Sequence, residues 1–94
     1  MVEYLYDAIR ASVGEDIAIT AKISDNGSPI VVDCYLELND DDSAIIRVIG
    51  HYADSIWEFL IPGSATKGLE KGRYWYSIHY NDTSLAFDKP IYLI

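Results

Sequence analysis

Hydrophobic and polar residues alternate with a period of two along most of this chain, which is the pattern of β-strands that bury one face. The clearest example is Ile17–Ser24, in which Ile17, Ile19, Ala21 and Ile23 face one way and the residues between them are mostly polar. The same alternation predicts strands at residues 3–10, 17–24, 32–39, 44–49, 57–61, 72–80 and 85–94. The charges in 3–10 leave a helix as the alternative for that segment.

Gly72–Tyr80 is predicted to be the central strand. It holds four of the twelve Phe, Trp and Tyr residues of the chain and no proline, and bulky flat side chains suit a pleated surface better than a helix. The inward face of this strand is predicted to carry Tyr74, Tyr76, Ile78 and Tyr80. The outward face is predicted to carry Arg73, Trp75, Ser77 and His79.

Glycine, proline and short polar residues separate the strands and predict the connections between them. Asp25–Pro29 is expected to reverse the chain, and the acidic run Asn39–Ser43 to form a solvated hairpin turn. His51–Ser55 is expected to be a short connection, and Asn81–Ser84 the last hairpin turn. In the final strand, Pro90 cannot donate to a β-ladder, so it marks a sheet edge or a switch between sheets.

Ser64–Gly68 has the composition of one helical turn, with Ser64 as the N-cap and Gly68 just beyond the C-terminus. Leu69 is then expected to fold back onto the core. Tyr74 follows this crossover in the layout of a tyrosine corner, whose hydroxyl donates to nearby backbone while the ring is buried. Together the segments predict an immunoglobulin-like antiparallel β-sandwich of seven or eight strands with one short helical crossover turn.

Length and charge limit the function. The 94 residues fit one domain, spanning 1–94. The formal charge of −8 repels phosphate backbones and anionic lipid headgroups, so nucleic acid and membrane surfaces are poor candidate partners. The first ten residues lack a signal peptide's apolar run, and no segment reaches the ~18 apolar residues of a membrane span. We therefore expect the chain to be made in a cytoplasm without export by a signal peptide.

The sequence gives little support for catalysis or metal binding. Cys34 is the only cysteine, which excludes an internal disulfide and a multi-thiolate zinc site. Cys34 falls on an inward face, His51 in a turn and His79 on an outward face, so strand periodicity does not bring these three together. Phosphate-binding loops and metal-ligand spacings are missing. We expect no catalytic residues, no metal and no cofactor.

Surface aromatic residues are the remaining candidates for a functional site. Tyr35, Trp75 and His79 fall on outward faces, and exposed aromatic side chains in a small domain are typical of a contact site. Trp75 has an alternative position beneath a neighbouring loop. The C-terminal run of Ile91, Tyr92, Leu93 and Ile94 is apolar on both faces, which indicates either full burial or docking onto another chain by strand addition.

Five segments resemble the small immunoglobulin-like domains of tailed-phage structural proteins, and the nearest type is the N-terminal domain of upper baseplate proteins. These segments are Val13–Asp16 with the alternating strand that follows it to Ile23, then Asp25–Ile30, Trp57–Pro62, Ala65–Leu69 and Gly72–Tyr76. The resemblance rests on residues that pack in the core. It implies a virion component of the tail, the baseplate or the head decoration, which has no catalytic residues and docks to identical copies or to a neighbouring structural protein.

The sequence therefore predicts a non-enzymatic structural or assembly module, encoded by a phage or prophage, that acts by protein-protein docking. It would reside in the host cytoplasm when made and in the virion afterwards, and could form a homo-oligomer. One alternative is a carbohydrate-binding module that stacks sugars on Trp75 and Tyr35. Another is a calcium-dependent adhesion module that uses Asp40–Asp42, although the ligand spacing of an EF-hand is absent.

Overall fold

Two β-sheets face each other across a shared hydrophobic core in the computed structural model, which describes residues 2–4, 8–25, 27–29, 34–40, 43–80, 83–84 and 89–94. The strands are β1 (Glu3–Tyr4), β2 (Ile9–Ala11), β3 (Ile17–Ala21), β4 (Ser24–Asp25), β5 (Ser28–Pro29), β6 (Cys34–Asn39), β7 (Ala44–Ile49), β8 (His51–Ala53), β9 (Ile56–Ile61), β10 (Gly72–Tyr80), β11 (Thr83–Ser84) and β12 (Lys89–Leu93). One short helix, α1 (Gly63–Thr66), lies between β9 and β10.

The larger sheet has the strand order β1-β2-β12-β10-β6-β7, and β11 pairs with the end of β10. The smaller sheet has the order β3-β9-β8, and β4 pairs with β5 in a separate hairpin. This arrangement matches the two sheets of an immunoglobulin sandwich, in which the third, sixth and seventh core strands form one sheet and the second, fourth and fifth form the other. All pairs between the described strands are antiparallel except that of β2 with β12, which is parallel, so the predicted sandwich is confirmed with one parallel pair added.

Alternation decides which side chains form the core, as the sequence predicts. The buried apolar residues of β3, β6, β9 and β10 all lie at positions that the pattern places on the inward faces, whereas Ala21 and Tyr80, also placed inward, are half-buried, and Ser77, placed outward, is buried. The buried apolar residues of these strands are Ile17, Ile19, Cys34, Leu36, Leu38, Trp57, Phe59, Ile61, Tyr74, Tyr76 and Ile78. Each of these fully or largely buried apolar side chains contributes about 1.5–3 kcal/mol relative to an exposed position.

Several predicted strands are shorter or divided. Residues 3–10 form β1 and β2, which pair antiparallel with each other, so this segment is not one strand. β3 ends at Ala21, although Ile23 still joins the core. The expected connection at His51–Ser55 instead contains β8, which pairs with β9 around the turn at Asp54 and Ser55. Val32, Asp33 and residues 85–88 of the predicted strands lie outside the described residues.

Gly50 explains how β8 arises. β7 belongs to the larger sheet and β8 to the smaller one, and Gly50 is the single residue between them. A Cβ atom on Gly50 would lie 2.6 Å from Phe59 Cε1 and 2.7 Å from Trp57 Cε3. The chain can therefore cross from one sheet to the other only where a residue without a side chain passes over the aromatic core.

The helical turn is present but is capped differently from the prediction. α1 begins at Gly63, its N-cap residue is Pro62, and no side chain of the N-cap residue caps it, so Ser64 is not the N-cap. The cap comes from the β2–β3 connection, because the Gly63 amide donates to Asp16 Oδ1 at 2.6 Å. Thr66, which is fully buried, accepts a hydrogen bond from the Gly14 amide at 3.1 Å. Distant parts of the chain therefore meet at α1.

Tyr74 forms the predicted tyrosine corner. Its ring is buried, with 8% of the residue exposed, and its hydroxyl donates to the Glu70 carbonyl oxygen at 2.7 Å. Leu69, in the same crossover, packs against the core as expected. The hydroxyl thus holds the crossover segment against the start of β10.

The buried hydroxyl of Tyr76 makes stability depend on alkaline pH. Burial raises the pKa of Tyr76 above its usual value of 10.0, because desolvation disfavours the phenolate. Its contribution to stability is complete below pH about 10 and is lost as the pH rises through the higher folded-state pKa. We expect the free energy of unfolding, measured by urea titration, to fall more between pH 8 and pH 11 in the wild type than in Tyr76→Phe. Equal losses in the two proteins would contradict this assignment.

Candidate protein-contact surface

The outward side of the larger sheet carries the side chains that sequence analysis singled out as a contact surface, and it is called the outer face below. Register places outward residues of neighbouring strands side by side: Trp75 opposite Asn39 and Pro90, Ser77 opposite Glu37, and His79 opposite Tyr35. The outer face comprises Glu3, Arg10, Tyr35, Glu37, Asn39, Arg47, Ile49, Arg73, Trp75, Ser77, His79, Pro90 and Tyr92.

A network of polar side chains lies at the centre of this face. Glu37 contacts His79 Nε2 through Oε1 at 3.0 Å and Arg47 through Oε2 at 3.3 Å. Ser77 Oγ lies 2.8 Å from His79 Nε2, and Asn39 Nδ2 donates to Ser77 Oγ at 3.2 Å. Each side chain of the network makes a hydrogen bond or an ion pair with the next one. These contacts hold the side chains in place, so this part of the sheet is a preorganised polar surface.

The same network contains a serine, a histidine and a carboxylate, which is the set of groups used in nucleophilic catalysis. In a working triad the serine and the carboxylate contact opposite ring nitrogens, so that a proton passes through the imidazole. Here Ser77 Oγ and Glu37 Oε1 both lie on Nε2 of His79. This geometry positions His79 but provides no relay between the serine and the carboxylate.

Tyr35 is enclosed by neighbouring side chains. The His79 ring stacks on it with centroids 5.1 Å apart and an interplanar angle of 12°, and the Arg47 guanidinium lies 4.5 Å from its ring centroid. His79 comes from β10 and Arg47 from β7, the strands on either side of Tyr35. The ring is therefore covered by protein groups on both sides and offers no free platform for a sugar.

Arg73, Trp75 and Tyr92 form the second part of the outer face. The Arg73 guanidinium lies 4.8 Å from the Trp75 ring centroid, and Arg73 pairs with Tyr92 in the β10–β12 register. Tyr92 is 37% exposed and Trp75 is half-buried. Arg73 contacts no carboxylate within the described part of the chain, in contrast to Arg10 and Arg47. This patch combines an aromatic pair with an available cation.

Charge is distributed unevenly between the outer face and the rest of the molecule. All three arginines of the chain lie on the outer face, together with two glutamates that are paired with Arg10 and Arg47. These groups sum to +1, so the whole-chain charge of −8 leaves −9 on all other residues. Enrichment in arginine and aromatic residues and depletion of acidic residues are typical of protein-protein interfaces.

The structure places some of the predicted contact residues on the surface and others in the core. Tyr35, Trp75 and His79 lie on the outer face as predicted. Tyr92, for which the sequence assigned no face, lies there too, and Ile94 is 51% exposed at the end of β12.

Ile91 and Leu93 were also predicted to be contact residues, but they are buried in the core, with 0% and 2% exposed. β12 lies between β10 and β2, so its backbone is paired on both sides and it cannot dock by strand addition. Full burial, the alternative for this run, is correct for its two inward residues.

The other residues considered for chemistry lie apart. Cys34 is buried and His51 is exposed on the smaller sheet. Within the described ranges, no group of three or more His, Cys, Asp or Glu residues could hold a metal ion. Asp40 accepts a hydrogen bond from the Ser43 amide at 2.9 Å and forms part of the turn, and Asp41 and Asp42 lie outside the described residues. None of the helical segments described has the length and apolar character needed to cross a membrane.

The sequence analysis did not name the arginines or Glu37 as contact residues. The alternation placed Arg73 and Glu37 outward, but the clustering of all three arginines depends on the order of strands in the sheet, which the sequence pattern alone does not reveal.

Comparison of the chain with protein-family models, with curated proteins and with solved structures finds no match of any of the three kinds.

Proposed function

We propose that this chain is a non-enzymatic assembly module that docks to another protein through its outer face. The observation that carries the proposal is the concentration of all three arginines and of Tyr35, Trp75 and Tyr92 on one sheet surface of a strongly acidic chain. Trp, Tyr and Arg dominate the binding energy of protein interfaces.

Arg73, Trp75 and Tyr92 are the centre of the proposed contact. The exposed Arg73 guanidinium, which has no carboxylate partner among the residues that the structure describes, offers its donors to an acidic group on the docking protein, and the two aromatic side chains beside it exclude water from that pair. The polar network around Glu37 and His79 holds the neighbouring part of the face in one conformation, which lowers the entropic cost of binding.

The sequence resemblance to immunoglobulin-like domains of tailed-phage structural proteins supports a more specific role. In this role the chain is a component of a phage or prophage virion, in the tail, the baseplate or the head decoration, and its docking partner is another virion protein. The sandwich architecture is compatible with this role but does not distinguish it from other roles.

The test is incorporation of the chain into phage particles. Particles from the encoding phage, purified on a density gradient, are expected to contain the wild-type chain. Arg73→Glu is expected to reduce its copy number by about tenfold or more, the effect of losing a central interface arginine. Lys67→Glu is the matched control, because it makes the same charge change at an exposed residue outside the outer face. Absence of the wild-type chain from particles, or equal incorporation of the two variants, would contradict the proposal.

A further inference from the structure

A pocket opens between the two sheets on the side where β3 forms the edge of the smaller sheet. Its volume is about 420 Å³, which lies within the range of about 300–1,000 Å³ that is typical of ligand sites. Ala8 and Ile9 line it from the larger sheet and Ile19 lines it from the smaller one, and all three are buried. The inner part of the pocket therefore has aliphatic walls.

A hydrogen bond between the two sheets lies beside the pocket. The Tyr4 hydroxyl donates to the Ala18 carbonyl oxygen, and both residues line the pocket. Tyr4 belongs to β1 of the larger sheet and Ala18 to β3 of the smaller one, so this contact holds the sheets together at the pocket. The width of the pocket is thus set by the protein itself, as in ligand sites that are largely preformed.

The hydroxyl of Tyr76 faces this pocket without a partner. Tyr76 is more than nine-tenths buried, with 7% exposed, and its hydroxyl makes no hydrogen bond with any residue that the structure describes. Among the described side chains, no polar atom is both completely buried and unpaired, so the hydroxyl reaches the pocket that Tyr76 lines. Buried polar groups are almost always hydrogen-bonded. The missing partner of Tyr76 therefore comes from outside the chain.

Lys89 lies on the same side of the sheet as Tyr76. The two residues are directly opposite each other in the β10–β12 register, and such residues share a face, with Cβ atoms about 4.5–5.5 Å apart. Lys89 is also in phase with Ile91 and Leu93, the buried residues of β12. It lines the pocket, its side chain is exposed, and it forms no ion pair within the described ranges. An unpaired ammonium group therefore lies at the opening of the pocket, beside the Tyr76 hydroxyl.

These two polar groups define the chemistry that fits the pocket. Burial raises the pKa of Tyr76, so its hydroxyl keeps its proton at neutral pH and can donate a hydrogen bond. The ammonium of Lys89 is a donor that carries a positive charge. Two adjacent donors, one of them charged, match the two oxygens of a carboxylate, which forms its strongest hydrogen bonds with such groups. A cationic ligand would be repelled by Lys89.

We propose that this pocket binds a small carboxylic acid with an aliphatic body. The carboxylate accepts hydrogen bonds from Lys89 Nζ and Tyr76 Oη, and the hydrocarbon part lies against Ala8, Ile9 and Ile19. Each methylene group that leaves water adds to the affinity, so longer chains bind more tightly until the pocket is full. The pocket lies between the sheets and not on the outer face, so this binding does not depend on the proposed docking.

The first experiment compares three ligands that share an eight-carbon chain, namely octanoate, octan-1-ol and octylammonium. Each is titrated into the purified chain, and binding is followed by the NMR shifts of its backbone amides. Octanoate is expected to bind with a dissociation constant of about 0.1–1 mM and to shift the amides of Ile9, Ile19 and Tyr76. Octan-1-ol lacks the charge and is expected to bind about three- to tenfold more weakly.

Octylammonium is expected not to bind measurably, because its charge has the same sign as that of Lys89. The net charge of the chain predicts the opposite order, since a protein with a formal charge of −8 attracts cations and repels anions. Tighter binding of octanoate than of octylammonium therefore reports the local groups and not the overall charge.

The second experiment removes the two donors one at a time. Lys89→Met is expected to weaken octanoate binding about three- to tenfold and to leave octan-1-ol binding unchanged. Tyr76→Phe is expected to weaken both about two- to tenfold, because each ligand loses one hydrogen bond. Lys67→Met is the matched control, since it makes the same exchange at an exposed lysine that does not line the pocket. Thermal unfolding checks that every variant is folded.

Three results would overturn the inference. They are the absence of shifts at the pocket with octanoate up to about 20 mM, well above the expected dissociation constant, equal effects of Lys89→Met and Lys67→Met, and binding of octylammonium as tight as that of octanoate. Arg73→Glu is expected to leave octanoate binding unchanged, because Arg73 lies on the outer face and not in the pocket. Failure of the outer-face proposal and failure of the pocket proposal are therefore distinguishable.

Discussion

Replacing Tyr74 with alanine is expected to lower the free energy of unfolding by about 3–5 kcal/mol, the usual cost of removing a buried aromatic ring. The ring is 8% exposed, and the truncation also removes the hydroxyl that donates to the Glu70 carbonyl oxygen. A domain of this size has about 5–15 kcal/mol of stability in total. Chemical denaturation monitored by circular dichroism measures the loss, and the variant is expected to be partly unfolded at 37 °C.

Tyr74→Phe separates the two contributions of this residue. It keeps the ring and removes only the hydrogen bond at 2.7 Å, which is expected to cost about 0.5–1.5 kcal/mol. If phenylalanine proved as destabilising as alanine, the corner hydrogen bond would be the main contribution. If both variants had the stability of the wild type, the packing of Tyr74 described above would be wrong.

Gly63→Ala is expected to destabilise the fold by about 3 kcal/mol or more, the upper end of the range for overpacked sites. A Cβ atom on Gly63 would collide with the Gly14 carbonyl oxygen, and backbone cannot move aside as a flexible side chain does. Relief of this collision would stretch the hydrogen bond from the Gly63 amide to Asp16 Oδ1. The gain of about 1 kcal/mol from replacing glycine in a helix does not offset this cost.

Gly68→Ala is the matched control for Gly63→Ala. It lies just after the same helical turn, where a Cβ atom meets nothing within 4 Å and the backbone φ is not positive. Thermal unfolding of this variant is expected to match the wild type or to rise slightly, since alanine reduces the entropy of the unfolded chain. Similar losses in both variants would indicate that helix propensity, and not the contact with Gly14, determines the effect.

The inward faces of the strands were predictable because they depend on local alternation. Leu36, Phe59 and Ile78 are buried for the same reason that any apolar residue is buried on a half-wet strand. The tyrosine corner was predictable because a short crossover followed by Gly-x-Tyr is a local arrangement. The capping of α1 was not predictable from the sequence, because Asp16, which accepts the hydrogen bond of the Gly63 amide, lies 47 residues away in the chain.

In the candidate site, too, some features follow from the local sequence and others depend on distant parts of the chain. Outward positions such as Trp75 and His79 follow from alternation, but their neighbours follow from strand order. Arg10 and Arg73 become neighbours of Tyr92 only because β12 inserts between β2 and β10. A C-terminal run that is apolar on both faces gives no information about its place in a sheet. Its place in the sheet depends on β2, which comes from the opposite end of the chain, as well as on β10.

The parallel pairing of β2 with β12 has a consequence for how the chain acquires its fold. Ile9 pairs with Ile91 and Ala11 with Leu93, so the larger sheet closes only when segments near the two ends of the 94 residues meet. Pairing at such sequence separation requires closure of a long loop and slows folding. During synthesis, the gap between β2 and β10 stays open until residue 93 has left the ribosome. Until then β2 and β10 each present an edge that β12 has not yet paired, and an unpaired edge favours pairing with the wrong strand.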